Sequence, residues 1–365
     1  MSAQTALACS IIRGGTSKGL YFHEHDLPTD VPTRDAVLLA AMGSPDVREI
    51  DGMGGGHPLT SKVAVVRPSS RSDADVDYLF LQVWPDRAEV SDNQNCGNLL
   101  AGVGPFAIEE GIISAHDPTT DVRIWMENTQ SLCVARIETP GGRVRYDGDA
   151  HIDGVPGIAA AIPIEFLDIA GSTCGSLLPT GNVVDVLEGV NVTCIDNGMP
   201  VVILNASDVG LSGYEEPHDI EANRAVTEKV ERLRLAAGPL MNLGNVTNKT
   251  VPKMTLLAPA KDGGVVSTRT FIPLRVHEAI GVFGAVSVAT ACLVTGSVAN
   301  VLAALPSSSK TVSLDIEHPT GYFTVDMTVS GEGSETRVES AALLRTARLL
   351  MRGDVFIPSS VWSRQ

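Results

Sequence analysis

Two stretches of this chain run through the same order of elements, and that repetition limits the fold more than any single motif does. In the first, the apolar run Leu7–Ile12 passes through the turn Arg13-Gly14-Gly15-Thr16-Ser17-Lys18-Gly19 into Leu20-Tyr21-Phe22. In the second, Asn191–Ile195 passes through Asp196-Asn197-Gly198 into Val201–Leu204. A helix over Arg34–Met42, capped by Asp30 or Thr33, corresponds to an amphipathic helix over Asp219–Leu240. Lys62 opens the apolar run Val63–Val66, and Lys253 opens Met254–Ala258; each run ends at a proline, Pro68 or Pro259. The strand Tyr78–Val83 corresponds to Phe271–Leu274. A buried helix from about Gly97 to Glu110, stopped at Gly111, corresponds to one opening at Gly281. Lys62 lies 34 residues before Cys96, and Lys253 lies 31 before Gly284. The pattern predicts one α+β unit built twice, each a mostly antiparallel sheet around an apolar helix, over residues 1–185 and 186–365.

Between the matched segments the sequence predicts strands at Val122–Trp125, Leu132–Glu138 and Arg143–Asp147, with a turn at Pro140-Gly141-Gly142. It predicts an irregular strand over Ile152–Phe166, a linker over Gly171–Gly181, and strands at Leu314–Glu317 and Thr324–Thr328. Ala279–Ser309 carries no charged residue, but glycines and Pro306 interrupt it, so two buried core helices are expected there and not a membrane span.

Composition removes several function classes. The net charge is −16 and aromatics make up 4% of the chain, which argues against a nucleic-acid or anionic-membrane partner. An acidic small molecule stays compatible where a few cations gather locally. The six cysteines form no CxxC pair and no Cys/His cluster of metal spacing, so no metal site is expected. The opening residues lack a basic segment before an apolar one, and the chain reads as reduced and cytoplasmic.

Three segments carry chemistry. Ser91–Asn95 is a polar run delivering Cys96 to the start of an apolar helix, where unpaired N–H groups favour a thiolate or a carboxylate. A buried, inert thiol is the other reading of a free cysteine. Lys62 stands at the mouth of an apolar strand, which fits either a desolvated amine acting as a base or an edge lysine reaching solvent. The turn Arg13–Gly19 gathers N–H groups, hydroxyls and cations as an anion site would, and is also compatible with a plain hairpin. It is no P-loop, because GxxxxGK[ST] is absent. Asp51–Pro58 reads as a flexible loop with four glycines. Ser17, Lys62, Cys96 and Arg275 are expected to face a cleft shared by the two halves.

RGGTSKG (13–19), DGMGGGHPLTSK (51–62), DNQNCGN (92–98) and HEAIGVFGAVSVAT (277–290) occur in order along nearly the whole chain. Together they resemble the PrpF branch of the diaminopimelate epimerase / proline racemase superfamily. The resemblance implies an α+β fold of two pseudo-symmetric epimerase-like domains. It implies a cofactor-independent isomerase or tautomerase that moves a proton on an unsaturated tricarboxylate such as 4-oxalomesaconate, in aromatic-ring (gallate or protocatechuate) degradation. Alternatives are 2-methylaconitate cis-trans isomerisation and methylitaconate or oxalomesaconate Δ-isomerisation. Epimerases of this fold use one cysteine from each half. Here Gly281–Ser287 holds none, and Cys292 lies too deep in its helix, so two-thiol stereoinversion is not expected. The branch implies Lys62 and Cys96 as the acid/base pair. Arg13, Thr16, Ser17, Ser61, Asn95, Gly97, Asn98 and Arg275 are expected to hold carboxylates, with Gly284, Ala285 and Val286 supplying N–H groups. The expected partner is a small di- or tricarboxylate, and a homodimer stays open.

Overall fold

The structure, a computed structural model, describes residues 4–92, 96–167, 169–272, 274–306 and 311–363. The chain separates into one unit of Met1–Leu167 with Leu344–Gln365 and another of Asp168–Leu343. This differs from the expected division after residue 185, and strand pairing is the reason. The C-terminal strand Ala347–Pro358 lies antiparallel along the first strand, from Gln4 opposite Pro358 to Gly14 opposite Ala347. The chain's end thus belongs with its beginning.

In the first unit, β1 (Gln4–Gly14) turns back into β2 (Ser17–His23), with Gly15 at φ +50°. Helix α1 (Val31–Met42) is capped by Asp30, whose carboxylate accepts the Thr33 N–H at 3.0 Å, and ends at Gly43 with φ +83°. β3 (Lys62–Pro68) lies parallel to β2, with Gly19 opposite Lys62. β4 (Val76–Val83) runs antiparallel to β3, with Lys62 opposite Gln82, and the short β5 (Val90–Ser91) pairs with its end.

The expected single helix from Gly97 is two segments, α2 (Gly97–Leu100) and α3 (Val103–Glu109). Pro105 accounts for the break: it lacks an N–H, and its ring crowds the carbonyl four residues earlier, at Ala101. Gly111, at φ +70°, stops the run as expected. β6 (Thr119–Met126) joins β4 in parallel, and β7 (Ser131–Glu138) and β8 (Ile162–Leu167) follow antiparallel. Arg143–Asp147 forms no strand, because Pro140–Gly142 is a 3-10 turn with Gly141 and Gly142 at positive φ. Only the end of Ile152–Phe166 is β. Leu7, Leu20, Phe22, Leu38, Val63, Leu81 and Ile357 pack into one core.

The second unit repeats the plan. β9 (Asp185–Leu187), β10 (Val190–Asp196) and β11 (Pro200–Asn205) precede α4 (Pro217–Ala222) and α5 (Arg224–Leu240). The expected helix over Asp219–Leu240 breaks at Asn223, whose side chain caps α5 by accepting the Val226 N–H at 3.3 Å. β12 (Lys253–Pro259) lies parallel to β11 with Val201 opposite Lys253, and β13 (Val266–Ile272) lies antiparallel to β12. After β14 (Arg275–Val276) come α6 (Val282–Leu293), buried from Phe283 to Cys292, and α7 (Val298–Leu302). β15 (Val312–His318), β16 (Gly321–Ser330) and β17 (Arg337–Arg345) complete the element order. Gly171–Gly181 is packed and is no linker: the Thr173 and Cys174 N–H groups donate to Asp196 at 2.8 and 2.7 Å, and Cys174 is buried. Among the described residues, no helix is long and apolar enough to cross a membrane.

The parallel β2–β3 contact needs a glycine. A Cβ on Gly19 would stand 2.4 Å from the Lys62 carbonyl oxygen and 3.0 Å from a Leu99 methyl. Gly19→Ala is expected to cost about 1–3 kcal/mol, the range for overpacked interiors, read as a lowered thermal unfolding midpoint.

Candidate active site

Alternate residues of a strand share one face, about 7 Å apart. On β4 those residues are Tyr78, Phe80 and Gln82, and they meet both groups expected to do chemistry. The Tyr78 hydroxyl donates to the Cys96 carbonyl at 3.4 Å. The Phe80 ring centre lies 4.9 Å from Lys62 Nζ. Lys62 Nζ donates to Gln82 Oε1 at 2.7 Å.

Lys62 is buried, at 6% exposure, so it is no solvent-reaching edge residue. Its partner is held in one orientation. Gln82 Nε2 donates to the carbonyls of Pro58, Ser61 and Val83 at 3.1, 3.0 and 3.0 Å. Carbonyls only accept, so the amide oxygen must face the amine. Asn128 fastens the strand leading toward Cys96, donating to Phe80 O at 2.9 Å and Asp92 O at 2.8 Å.

Cys96 caps α2 and is the one cysteine of six that is not buried. Burial pushes the other thiols up, Cys9 to about 11 and Cys174, Cys194 and Cys292 to about 12, and raises Cys133 as well. Tyr21 lies on the far side of α2 and donates to the Leu99 carbonyl. Burial drives both the Tyr21 and Tyr78 hydroxyls well above their ordinary range, so they are neutral donors.

The β1–β2 turn packs on the same helix start. Asn98 Nδ2 donates to Thr16 Oγ1 at 3.0 Å, and a Cβ on Gly14 would stand 2.4 Å from the Asn98 carbonyl. Ser17 Oγ is buried with no hydrogen-bond partner among the described residues. Arg13 is turned inward: its Nη1 donates to Thr346 O at 2.8 Å, Thr346 Oγ1 at 2.7 Å and Gly15 O at 3.2 Å. Burial, then Arg348, lowers its pKa.

The first unit therefore gathers Arg13, Thr16, Ser17, Lys62, Cys96, Gly97 and Asn98. Ser61 is close by, but its hydroxyl is committed to Glu49 and to the His57 carbonyl. Asn95 lies outside the described residues. His57 is a turn residue whose Nδ1 accepts the Leu59 N–H at 3.1 Å. The remaining expected residues belong to the second unit. Arg275 is exposed and paired with Glu221 at 2.9 Å. Ala285 N–H is spent inside α6, donating to Gly281 O at 2.8 Å. A helix capped by Gly281 leaves the N–H groups of Val282, Phe283 and Gly284 without an intrahelical acceptor, so the expected trio sits two residues too late.

Sequence reasoning missed Glu49 and Gln82. Gln82 had a signal: it is the polar residue in the otherwise apolar run Leu79–Val83. Glu49 had none, because its partners Gly56 and Ser61 lie in the following loop and are not marked by any local pattern.

The comparisons with known proteins agree with this architecture. A solved structure of a methylitaconate-Δ-isomerase superposes with a TM-score of 0.87 at 35% identity, over 100% of this chain and 98% of that one. A hydroxyproline epimerase from Agrobacterium vitis, at a TM-score of 0.54 and 14% identity, shares the fold alone. A (4E)-oxalomesaconate Δ-isomerase of Novosphingobium sp. (strain KA1) is 60% identical over 349 residues, 96% of this chain and 97% of that one. A 4-oxalomesaconate tautomerase of Pseudomonas putida (strain KT2440) is 55% identical over 359 residues, 98% of each chain. The protein is an isomerase with the epimerase-like α+β fold. Its residues 4–358 match the model of the PrpF protein family, and the chain belongs to that family.

Gln82→Met keeps the length of the side chain and removes the oxygen that meets Lys62. It is expected to lower kcat at least tenfold while leaving KM within about threefold, read from steady-state kinetics on the isomerised substrate.

Proposed function

We propose that this protein is a cofactor-independent isomerase that shifts a proton on 4-oxalomesaconate, with Lys62 and Cys96 as its acid/base pair. The observation that carries the reading is the shared face of β4, which meets a buried amine at one end and the carbonyl of the one unburied cysteine at the other. The names of relatives 60% and 55% identical supply the substrate.

One group takes a proton from a carbon adjacent or vinylogous to the keto carbonyl. The electron pair delocalises into a dienolate, which N–H groups and local cations stabilise. The partner returns a proton, either to the oxygen, giving the enol tautomer, or to a different carbon, moving the double bond. Both outcomes share the dienolate, which explains how a tautomerase and a Δ-isomerase can have closely similar sequences. On this reading Ser17 and the Thr16–Asn98 pair hold carboxylates; the buried Ser17 hydroxyl without a partner among the described residues supports it. On this reading the partner is a small tricarboxylate in the cytoplasm, and neither metal nor organic cofactor takes part.

Lys62→Met and Cys96→Ser are each expected to lower solvent deuterium incorporation into 4-oxalomesaconate by about 10²–10⁴-fold, followed by proton NMR. Wild-type exchange in both variants would sink the assignment. The substrate is tested separately. A site that hydrogen-bonds the keto or enol oxygen rejects a methyl analogue by about 10⁴-fold, so kcat/KM for 2-methylaconitate and methylitaconate is expected to be far below that for 4-oxalomesaconate. Comparable values would reassign it.

A further inference from the structure

Lys253 opens β12 as Lys62 opens β3, but it lacks the partner that Lys62 has. Met254 stands opposite Phe271, so the β13 residue across from Lys253 is Ile272, where the first unit has Gln82. The backbone at Lys253 is nonetheless fixed. Val201 pairs with it on one side. Just before it, the buried Arg234 donates to the carbonyls of Val246, Lys249 and Val251 at 2.9, 3.2 and 3.4 Å. Lys253 is half-buried, and its Nζ has no hydrogen-bond or ion-pair partner among the described residues.

Strand register shows what shares its face. Met254, Phe271 and Val276 form one row across β12, β13 and β14, and all three belong to the core that α5 covers. The alternate positions point the other way. Those are Lys253, Thr255, Thr270 and His277. The Thr255 and Thr270 hydroxyls meet at 3.0 Å, and the His277 N–H donates to Thr270 O at 2.8 Å. At the backbone, His277 stands two strand spacings from Thr255, about 10 Å, and Lys253 stands one alternate residue from it, about 7 Å.

The tautomer of His277 is set by its surroundings. Nδ1 accepts the Ala279 N–H at 2.9 Å, so the neutral ring carries its proton on Nε2. Nε2 has no partner among the described residues, and the residue is half-buried. Two donors without acceptors thus stand on one sheltered face, which is costly unless an acceptor arrives. The neighbouring groups are committed. Thr255 and Thr270 hold one another, and Glu221 is taken by Arg275 at 2.9 Å and by the Val276 N–H at 2.8 Å. Burial lowers both Lys253 and His277, and the Lys253 charge lowers His277 further, as expected where no anion stands between them.

We propose that this face of the second unit is a carboxylate site, in which an anionic ligand supplies the acceptors that Lys253 and His277 lack. The inference rests on the proposed function only for the choice of a carboxylate over other anions. Two sources share that chemistry, the isomerised substrate and a separate small carboxylic acid.

The test reads amine reactivity in the intact protein. A limiting dose of acetic anhydride followed by peptide mass spectrometry gives the acetylation of Lys253 relative to the exposed Lys261. The probe is tricarballylate, a saturated tricarboxylate with no double bond to move, and inorganic phosphate at equal ionic strength is the control. Tricarballylate is expected to slow Lys253 at least about fivefold, and phosphate less than about twofold. His277→Ala is expected to lose most of this protection. His277→Gln, which keeps an N–H donor near the place of Nε2, is expected to retain it within about twofold.

Unchanged Lys253 reactivity in the wild type overturns the proposal. Equal protection by phosphate overturns it too, as does full protection in a folded His277→Ala protein. Where that variant unfolds, the wild-type comparison with phosphate decides. Lys253→Met separates the sources. A KM for 4-oxalomesaconate raised about tenfold, with kcat within about threefold, assigns the carboxylate to the substrate. An unchanged KM, with protection present in the wild type, assigns it to a separate acid. Protection needs no turnover, so if Lys62→Met and Cys96→Ser both keep wild-type exchange, the acid/base reading fails and the carboxylate site stands.

Discussion

The clasp that ties the segment before Lys62 to β4 is the contact on which the proposed chemistry of the first unit depends. Two buried side chains make it. Gln82 takes the carbonyls of Pro58 and Ser61 from one side. Glu49, 1% exposed, takes the Gly56 N–H at 2.7 Å and the Ser61 hydroxyl from the other. The glycines of Asp51–Pro58 follow from this. A Cβ on Gly54 would stand 2.1 Å from a Glu49 oxygen, and one on Gly52 would stand 2.2 Å from the Gly43 nitrogen. The run is glycine-rich because it passes tightly over a buried carboxylate and the end of α1. A buried carboxylate left without these donors would be costly, so the loop and the residue it delivers are held together. Lys62 then emerges at a fixed point on β3, opposite a fixed oxygen.

The two units keep a scaffold and differ in what they mount on it. In each, a parallel strand pair is followed by an antiparallel hairpin and a buried helix, and a lysine opens the second strand of the pair. In each, polar side chains join the first hairpin turn to that helix. The first unit uses Thr16 and Asn98; the second uses Asn197 with Ser287 and Thr290, at 3.1 and 2.8 Å. The lysines differ in company. Burial, then Arg234, lowers Lys253 to about 8, and burial, then Lys253, lowers His277. No cysteine stands at the opening of α6. On the proposed reading the thiol chemistry is mounted on one unit, and the second retains the frame.

Much of this was legible in the sequence because the repeat is written in local patterns. Apolar runs ending at Pro68 and Pro259, the cap at Asp30 and the stop at Gly111 each depend on a few neighbouring residues. The duplicated order follows from them, whereas the pairing of Lys62 with Cys96 is implied only by the resemblance to the PrpF branch. What was not legible depends on distant residues. The domain boundary moved because a strand at 347–358 pairs with one at 4–14, a choice no local pattern records. The single helix expected from Gly97 rests on the apolar run and leaves out Pro105, whose ring crowds the Ala101 carbonyl. Ser61 is expected to hold a carboxylate of the ligand, whereas its hydroxyl is taken by Glu49, twelve residues earlier and outside any local pattern.

A chain of net charge −16 repels an anion at long range, so binding the proposed tricarboxylate would depend on cations concentrated where water is thin. Lys62 and Arg345 are both about 6% exposed, and Arg13 is half-buried. The hydrogen-bond partner that Lys62 meets is a neutral amide rather than a carboxylate. A carboxylate there would hold the amine charged and cancel it, leaving neither a proton acceptor nor a net attraction for an anion. An amide oxygen accepts a hydrogen bond from the amine and so orients the nitrogen without adding a charge beside it. On the proposed reading the anionic partner of that amine is supplied by the substrate, so a strongly acidic protein binds an acidic molecule through a few buried cations.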